Sequence, residues 1–281
     1  MVSVAMEAQA GALLPIVVSA EKAAADEDYF AVRSGLYSIA ACIKSVTSLL
    51  TRMHEQCEPD EFFHIVRPFL AGSTGMAAAG LPSGVFYDQG NGKGEWMKLR
   101  GGSNGQSSMI QLFDIILGVT HSASGHTSPH DDNRSSDGEK LSFQEEVRSY
   151  MPGPHRRFLE YMARNGRLRA FALGEGSDVS QEKCRRAYQA AVDALTDLRN
   201  EHLKIVTRYI VVPSRASRES KTRNLASAST RHGDQTGHNR DDGLTGTGGT
   251  ALLPFLRQAR DETARCGLAD QNLPRHSDLE E

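Results

Sequence analysis

QEKCRRAYQAAVDALTDLRNEHLKIVTRYIV, residues 181–211, is the stretch on which the fold turns. Cys184, Tyr188, Ala191, Leu195, Leu198, His202, Ile205 and Tyr209 recur at steps of three or four, the spacing that gathers side chains on one face of an α-helix. A strand would place its apolar residues at every second position instead. One long helix is therefore expected over Gln181 to Val211, with a single histidine inside its apolar stripe.

On its N-terminal side, residues 28–54 repeat the pattern. Phe30, Ser34, Tyr37, Ala41, Thr47 and Leu50 mark an inward face, with Arg33, Lys44 and Arg52 as the polar one. Glu58-Pro59-Asp60 opens a short apolar helix over 60–71 whose interior cation, Arg67, calls for a partner. Residues 71–105 are rich in Gly, Pro, Ser and Asn and read as loops and turns, leading to a helix over Met109 to Leu117. Further helices are expected over Phe143 to Tyr150, Pro154 to Asn165 and Ala251 to Cys266. No run alternates convincingly, so the fold class is all-α, a helical bundle with long polar loops.

Two segments lack the apolar residues that a packed core requires: 122–140 reads as an exposed insertion, and 213–249 as a polar stretch. Gly11 to Ala20 is apolar and ends in Val18-Ser19-Ala20, but nothing basic precedes it and Glu7 does, so a secretory signal is not expected. No run reaches the roughly 20 apolar residues of a membrane span, and the segment reads as a buried helix. The 32 Lys+Arg against 35 Asp+Glu give a formal charge of −3, too near neutral for nucleic-acid binding. Cys42, Cys57, Cys184 and Cys266 form no Cys-x-x-Cys pair, which speaks against a zinc knuckle or a disulfide framework and fits a reducing, cytoplasmic setting.

Chemistry could reside at four places. His202, with Leu198 and Val206 one turn away on either side, is either a satisfied core histidine or an axial haem ligand, which requires a neutral imidazole on a rigid helix facing an apolar cavity. Arg199, three residues earlier, would then reach a haem propionate, or else form an ion pair. Arg67 could hold a carboxylate bidentately or sit in a structural salt bridge. Gly101 to Ser108 has the form of an anion site at a helix start, but no Gly-Lys-Ser/Thr follows and no strand precedes, so Ser103 or Ser107 acting as a helix cap is the plainer reading. Thr247, between glycines, suits either a lid or a linker. His121, His126 and His130 are set aside as lying in an insertion without fixed geometry, and no Ser-His-Asp or Cys-His nucleophile is defensible.

Taken together, several segments resemble the indoleamine 2,3-dioxygenase family: Phe62 to Gly72, Gly101 to Ser108 with Phe113-Asp114, Tyr150 to Pro152, Pro154 to Leu159, Leu198 to Ile210 and Gly246 to Thr250. They occur in the family's order over most of the chain. The resemblance implies a haem b pocket enclosed by the bundle, with His202 as the iron ligand, Asp114 on the same side and Arg199 near a propionate. It implies that Arg67 pairs with the carboxylate of L-tryptophan, that Phe62 and Phe63 pack around the indole, that Gly102 and Ser103 lie beside haem and substrate, and that Thr247 belongs to the lid.

The implied reaction inserts both atoms of dioxygen across the indole C2–C3 bond to give N-formylkynurenine, the first step of the kynurenine pathway, with a reductant keeping the iron ferrous. On this reading residues 1–212 are the haem-binding domain, 213–245 a polar lid, 246–267 the Gly-Thr-Gly-Gly-Thr segment and last helix of the same domain, and 268–281 a tail. The chain is expected to be a monomer. Asn104 stands where animal members commonly have alanine, and the family's small N-terminal domain has no counterpart before Met1. The competing expectations are a catalytically silent haem-binding or interaction protein and a helical protein that never loads haem.

Overall fold

The computed structural model describes residues 2–74, 76–77, 80–122, 142–219 and 244–267. The expected insertion from 123 onward, the polar stretch from 220 to 243 and the tail lie outside the described residues.

Residues 181–211 form the spine as expected. Helix α10, Val179–Val206, is capped by the Asp178 carboxylate, which accepts from the amides of Ser180 and Gln181 at 2.7 and 2.9 Å. Helix α3, Tyr29–Thr51, is capped by Asp28 and runs along it. Val32, Leu36, Ile39, Ile43 and Val46 of α3 meet Cys184, Ala187, Tyr188, Ala191, Leu195 and Leu198 of α10 in one continuous core. Each buried Leu or Ile contributes about 1.5–3 kcal/mol of transfer free energy.

The face of α3 differs from the expected one: Phe30 is 71% and Tyr37 48% exposed. Apolar residues occur on both sides of this helix. The side that packs is the one whose small and branched residues, Gly35 and Ala40 among them, let neighbouring backbones approach. A Cβ on Gly35 would stand 2.6 Å from the Ala20 Cβ of helix α2, Leu14–Ala25, so the crossing of α2 over α3 requires a glycine there.

Helix α1, Val2–Gly11, precedes α2, and Met6, Ala10, Leu13, Val17, Ala20 and Ala24 are buried, largely against α3. Against expectation, Val2–Ala25 is apolar and long enough to cross a membrane by composition, 24 residues with a best window of mean hydropathy 1.5 that is 22% buried. Alanines and valines raise the average although Ser, Gly and Glu interrupt any strict apolar run. Here the stretch is broken by a turn at Ala12 and Leu13 and packs on the bundle.

Residues 59–70 contain α4, Pro59–Glu61, a π-helical turn Phe62–Val66, and α5, Arg67–Leu70. A second π turn, Thr207–Val211, links α10 to α11, Val212–Glu219, so helix continues beyond Pro213, where a polar stretch was expected to begin. Both π turns stand just before a proline, Pro68 or Pro213, whose missing N–H and bulky ring disturb the preceding helical turn.

Residues 85–97, read as loop, form a hairpin instead: β1, Val85–Gly90, pairs antiparallel with β2, Lys93–Met97. Asn91 and Gly92 both take positive φ, the two-residue turn that an Asn-Gly pair favours, and the strands are exposed on both faces, so no apolar alternation marks them in sequence. The remaining helices are α6, Ser108–Leu117; α7, Phe143–Val147; α8, Gly153–Asn165; α9, Leu168–Ala172; and α12, Leu252–Arg265. The Tyr188 hydroxyl donates toward the carbonyls of Leu117 at 2.7 Å and Cys266 at 3.2 Å, tying α10 to α6 and to the end of α12.

Candidate functional site

The C-terminal third of α10, the two π turns, Gly102 to Gln106, the segment Gly246 to Leu256 and the first turns of α1 converge on a cavity of about 490 Å³. That volume lies within the range of small-molecule and cofactor pockets. Its wall is mostly apolar, with Leu50, Met53, Ile205, Val206 and Leu252 among the lining residues, and its polar groups are few.

His202 lines this cavity. Its side chain is half-buried, and desolvation together with the nearby Arg199 cation pushes its pKa down to about 4. The imidazole is therefore neutral at pH 7, and it has no hydrogen-bond partner among the described residues. A neutral ring held on a rigid helix, with a free nitrogen lone pair inside an apolar cavity, has the chemistry of a metal-ligating histidine. The described residues contain no cluster of three or more His, Cys, Asp or Glu able to hold a bare metal ion.

Arg199 and Asp114 lie beside this wall without lining the cavity. They form a close ion pair, with Arg199 15% and Asp114 7% exposed, and the Arg199 Nε is buried with no hydrogen-bond partner. His121, set aside on sequence grounds, belongs to this cluster. Its Nε2 lies 3.1 Å from Asp114 Oδ2 and its Nδ1 2.7 Å from Glu262 Oε2, and Ser122 bonds the other Glu262 oxygen through Oγ at 2.5 Å and N at 3.1 Å. His121 stands at the edge of a Ser/Asp-rich sequence, so its neighbours in sequence misrepresented its surroundings. His126 and His130 lie outside the described residues.

Burial opposes charge throughout this cluster, yet the partners prevail. Burial alone would raise the Asp114 pKa, but the Arg199 charge and the bond from His121 hold it below the usual carboxylate range. Burial alone would lower that of His121, but Asp114 and then Glu262 raise it. Glu262 is likewise lowered by its bonds from Ser122, Gln258 and His121.

Arg67 is 1% exposed and reaches the same cavity. Burial lowers its pKa to about 10, which leaves it charged at neutral pH. Its Nη2 donates to the Thr245 carbonyl at 2.7 Å, and its guanidinium lies 5.8 Å from the ring centre of Phe63. The two phenylalanines part company: Phe62 lines the cavity, edge-on to Tyr209 at 5.7 Å, whereas Phe63 is fully buried behind Arg67.

Gly102, Ser103 and Asn104 line the cavity, and so does Thr247. The Thr247 hydroxyl donates to the Gly102 carbonyl at 2.6 Å, and the Gly101 amide donates to the Thr247 carbonyl at 3.2 Å. Ser107 caps α6 through the Ile110 amide, as the plainer reading had it, while the Ser103 hydroxyl accepts from the Gly105 amide at 3.2 Å. Two anchors were not foreseen. Gln111, buried on α6, donates to the carbonyls of Gly105 and Gln144, both at 2.9 Å. Arg100, 9% exposed, bonds Glu146 and the Gly248 carbonyl. A lone glutamine inside an apolar helix and an arginine before two glycines carry no sequence signal for either role.

Fold and site together define a helical protein whose longest helix presents a neutral histidine to a cavity that a buried arginine and a glycine-rich turn also line. The profile of the family "Indoleamine 2,3-dioxygenase" matches residues 1–266, and the chain belongs to that family. It is 39% identical over 264 residues to an indoleamine 2,3-dioxygenase of Aspergillus nanangensis, covering 93% of this chain and 57% of that protein. An indoleamine 2,3-dioxygenase of Saccharomyces cerevisiae is 37% identical over 237 residues, 83% of this chain and 50% of the relative. A 6-hydroxytryptophan 2,3-dioxygenase of Fusarium equiseti is 35% identical over 261 residues, 93% of this chain and 58% of the relative. The chain thus spans little more than half the length of the curated relatives it matches.

Proposed function

We propose that this chain is the haem-binding part of a dioxygenase that converts L-tryptophan and dioxygen to N-formylkynurenine. The observation that carries the reading is that His202, neutral and without a hydrogen-bond partner among the described residues, shares one cavity of about 490 Å³ with Arg67 and Thr247. The residues present fit a haem: a neutral imidazole that would hold the iron and a mostly apolar wall, with the Arg199 cation one turn from His202 beside that wall. A bound haem, kept ferrous by an external reductant, would supply the activation of dioxygen.

The chain's own residues bind and orient. His202 would hold the iron, and the Asp114–Arg199 pair fixes the adjoining turn of α10. Arg67 takes the substrate carboxylate, because a guanidinium kept charged in an apolar wall favours an anion there. Phe62 packs against the indole. The Gly246 to Thr250 turn excludes water, which strengthens every polar contact inside. Tryptophan and dioxygen together contain all the atoms of N-formylkynurenine, so the ring opening itself consumes no net electrons. A monomer in a reducing cytoplasm completes the reading, in keeping with four free cysteines.

A second reading, a ring-hydroxylated tryptophan as substrate, is favoured by the Fusarium relative's stated activity. The test is an absorption spectrum of protein given haem, for the native chain and for His202→Ala, followed by addition of ascorbate, dioxygen and either L-tryptophan or 6-hydroxytryptophan. A Soret band lost in His202→Ala, with formylkynurenine formed from tryptophan, is the expected result. Product from the hydroxylated substrate alone would establish the second reading. A His202-dependent band with no product from either would leave a silent haem-binding protein, and no band would remove haem altogether.

A further inference from the structure

Arg100 takes no part in the chemistry above, yet it joins three elements. Its Nε and Nη2 reach the two carboxylate oxygens of Glu146 on α7 at 2.6 and 2.5 Å, and its Nη1 donates to the Gly248 carbonyl at 2.6 Å. Its backbone amide donates to the Tyr150 hydroxyl at 3.2 Å. The guanidinium stands 5.3 Å from the ring centre of Phe143, and a Cβ on Gly248 would lie 3.0 Å from that same ring. α7 is itself anchored, by a Ser142–Glu145 capping box and by Gln111 on the Gln144 carbonyl.

Besides Arg100, the turn is tied to its surroundings by the Thr247 hydroxyl on the Gly102 carbonyl at 2.6 Å and the Gly101 amide on the Thr247 carbonyl at 3.2 Å. Gly246 donates to the Thr250 carbonyl at 2.8 Å and Gly249 to the Gly246 carbonyl at 2.9 Å, bonds within the turn itself. Gly249 adopts φ +85°, and three glycines within five residues leave the turn few side chains to pack. A buried guanidinium fork, fixed on one side by a carboxylate, offers a rigid donor that a carbonyl can meet in only one position.

We propose that Arg100, set by Glu146, is the positioning residue that holds the Gly246 to Thr250 turn, and with it Thr247, against the cavity. The consequence for substrate rests on the function proposed above; the latch itself does not. Arg100→Lys keeps the charge but has one nitrogen where the fork has three, so it cannot serve Glu146 and Gly248 together. Glu146→Gln keeps the shape and removes the charge that sets the fork.

Hydrogen exchange on the full chain without haem reads the latch directly. In both variants the Gly246, Gly249 and Gly101 amides should exchange about tenfold faster, while Ala191 and Leu195 on α10 keep their native rates. Unchanged exchange in the turn would overturn the proposal. So would equal acceleration in α10, which would make Arg100 a contributor to global stability only. In haem-loaded protein, Arg100→Lys should raise KM for L-tryptophan about tenfold and leave kcat within about twofold. A matching fall in kcat with KM unchanged would overturn the positioning role. Should native protein take up no haem, the proposed function falls while the exchange result still decides the latch.

Discussion

The two sides of the cavity are built by different means. On the His202 side, a 28-residue helix and a chain of buried charges, Arg199–Asp114–His121–Glu262, fix the wall through side chains. On the Thr247 side, glycine backbones touch glycine backbones, and one ion pair sets the distance. The first arrangement resists displacement because each charge is buried beside its counter-charge, and separating them exposes both to a poor solvent. The second resists little but permits close approach, since a backbone without side chains packs tightly and reopens at low cost. A rigid wall facing a yielding one is the arrangement that the proposed function calls for, with one ligand that stays and another that turns over.

The comparison breaks most severely at Asp114. Asp114→Asn strands the Arg199 charge in the protein, and urea unfolding should show a loss of about 3–5 kcal/mol; a loss below about 1 kcal/mol would mean that the His202 wall does not depend on buried charge. Next in size is Gly101→Ala, whose Cβ would stand 2.2 Å from the Leu70 carbonyl oxygen, 2.3 Å from the Gly72 nitrogen and 2.5 Å from the Thr247 oxygen. Overpacking of this kind costs about 1–3 kcal/mol, and the turn should be displaced while the His202-dependent Soret band survives. Loss of that band would show the two walls to be one unit.

Smaller still is Thr247→Val, which removes the bond to the Gly102 carbonyl at a cost of about 0.5–1.5 kcal/mol. A rise in KM with an unchanged Soret band is expected, and an unchanged KM would detach Thr247 from the site. The smallest effect concerns pH. The folded pKa of His121 is raised by Asp114 and Glu262, so its contribution to stability is full below its ordinary value of 6.5 and fades as pH rises through the folded value. Asp114 and Glu262 are lowered, so theirs is full above the usual carboxylate range and fades as pH falls through their folded values. His202, whose folded pKa lies at about 4, works the other way and loses stability as pH falls from 6.5 toward 4, so thermal melting should be highest near neutrality, and His121→Gln should flatten the alkaline decline without abolishing the acid one. An alkaline slope equal in the native chain and His121→Gln would assign the decline elsewhere.

Helices were legible wherever apolar residues recur at three and four, because that spacing acts within one element. α10, α6, α8 and α12 stand within a few residues of where the pattern puts them, and the inward stripe carrying His202 is real. The sequence by itself therefore determined the all-α class, the spine and the family, the last through short polar motifs whose order no other constraint imposes. Tertiary structure decided what no local pattern contains. It chose the face of α3, since apolar residues occupy both sides and only the neighbour α10 selects between them. It sent Phe62 into the cavity and Phe63 behind Arg67, a parting that a π turn before Pro68 produces. It brought His121 to Asp114 and Glu262, and Arg100 to Gly248, across separations of 7, 141 and 148 residues. Hydrogen bonds and ion pairs are made by whatever groups the packed core leaves adjacent, so partners that distant exist only once the core has formed.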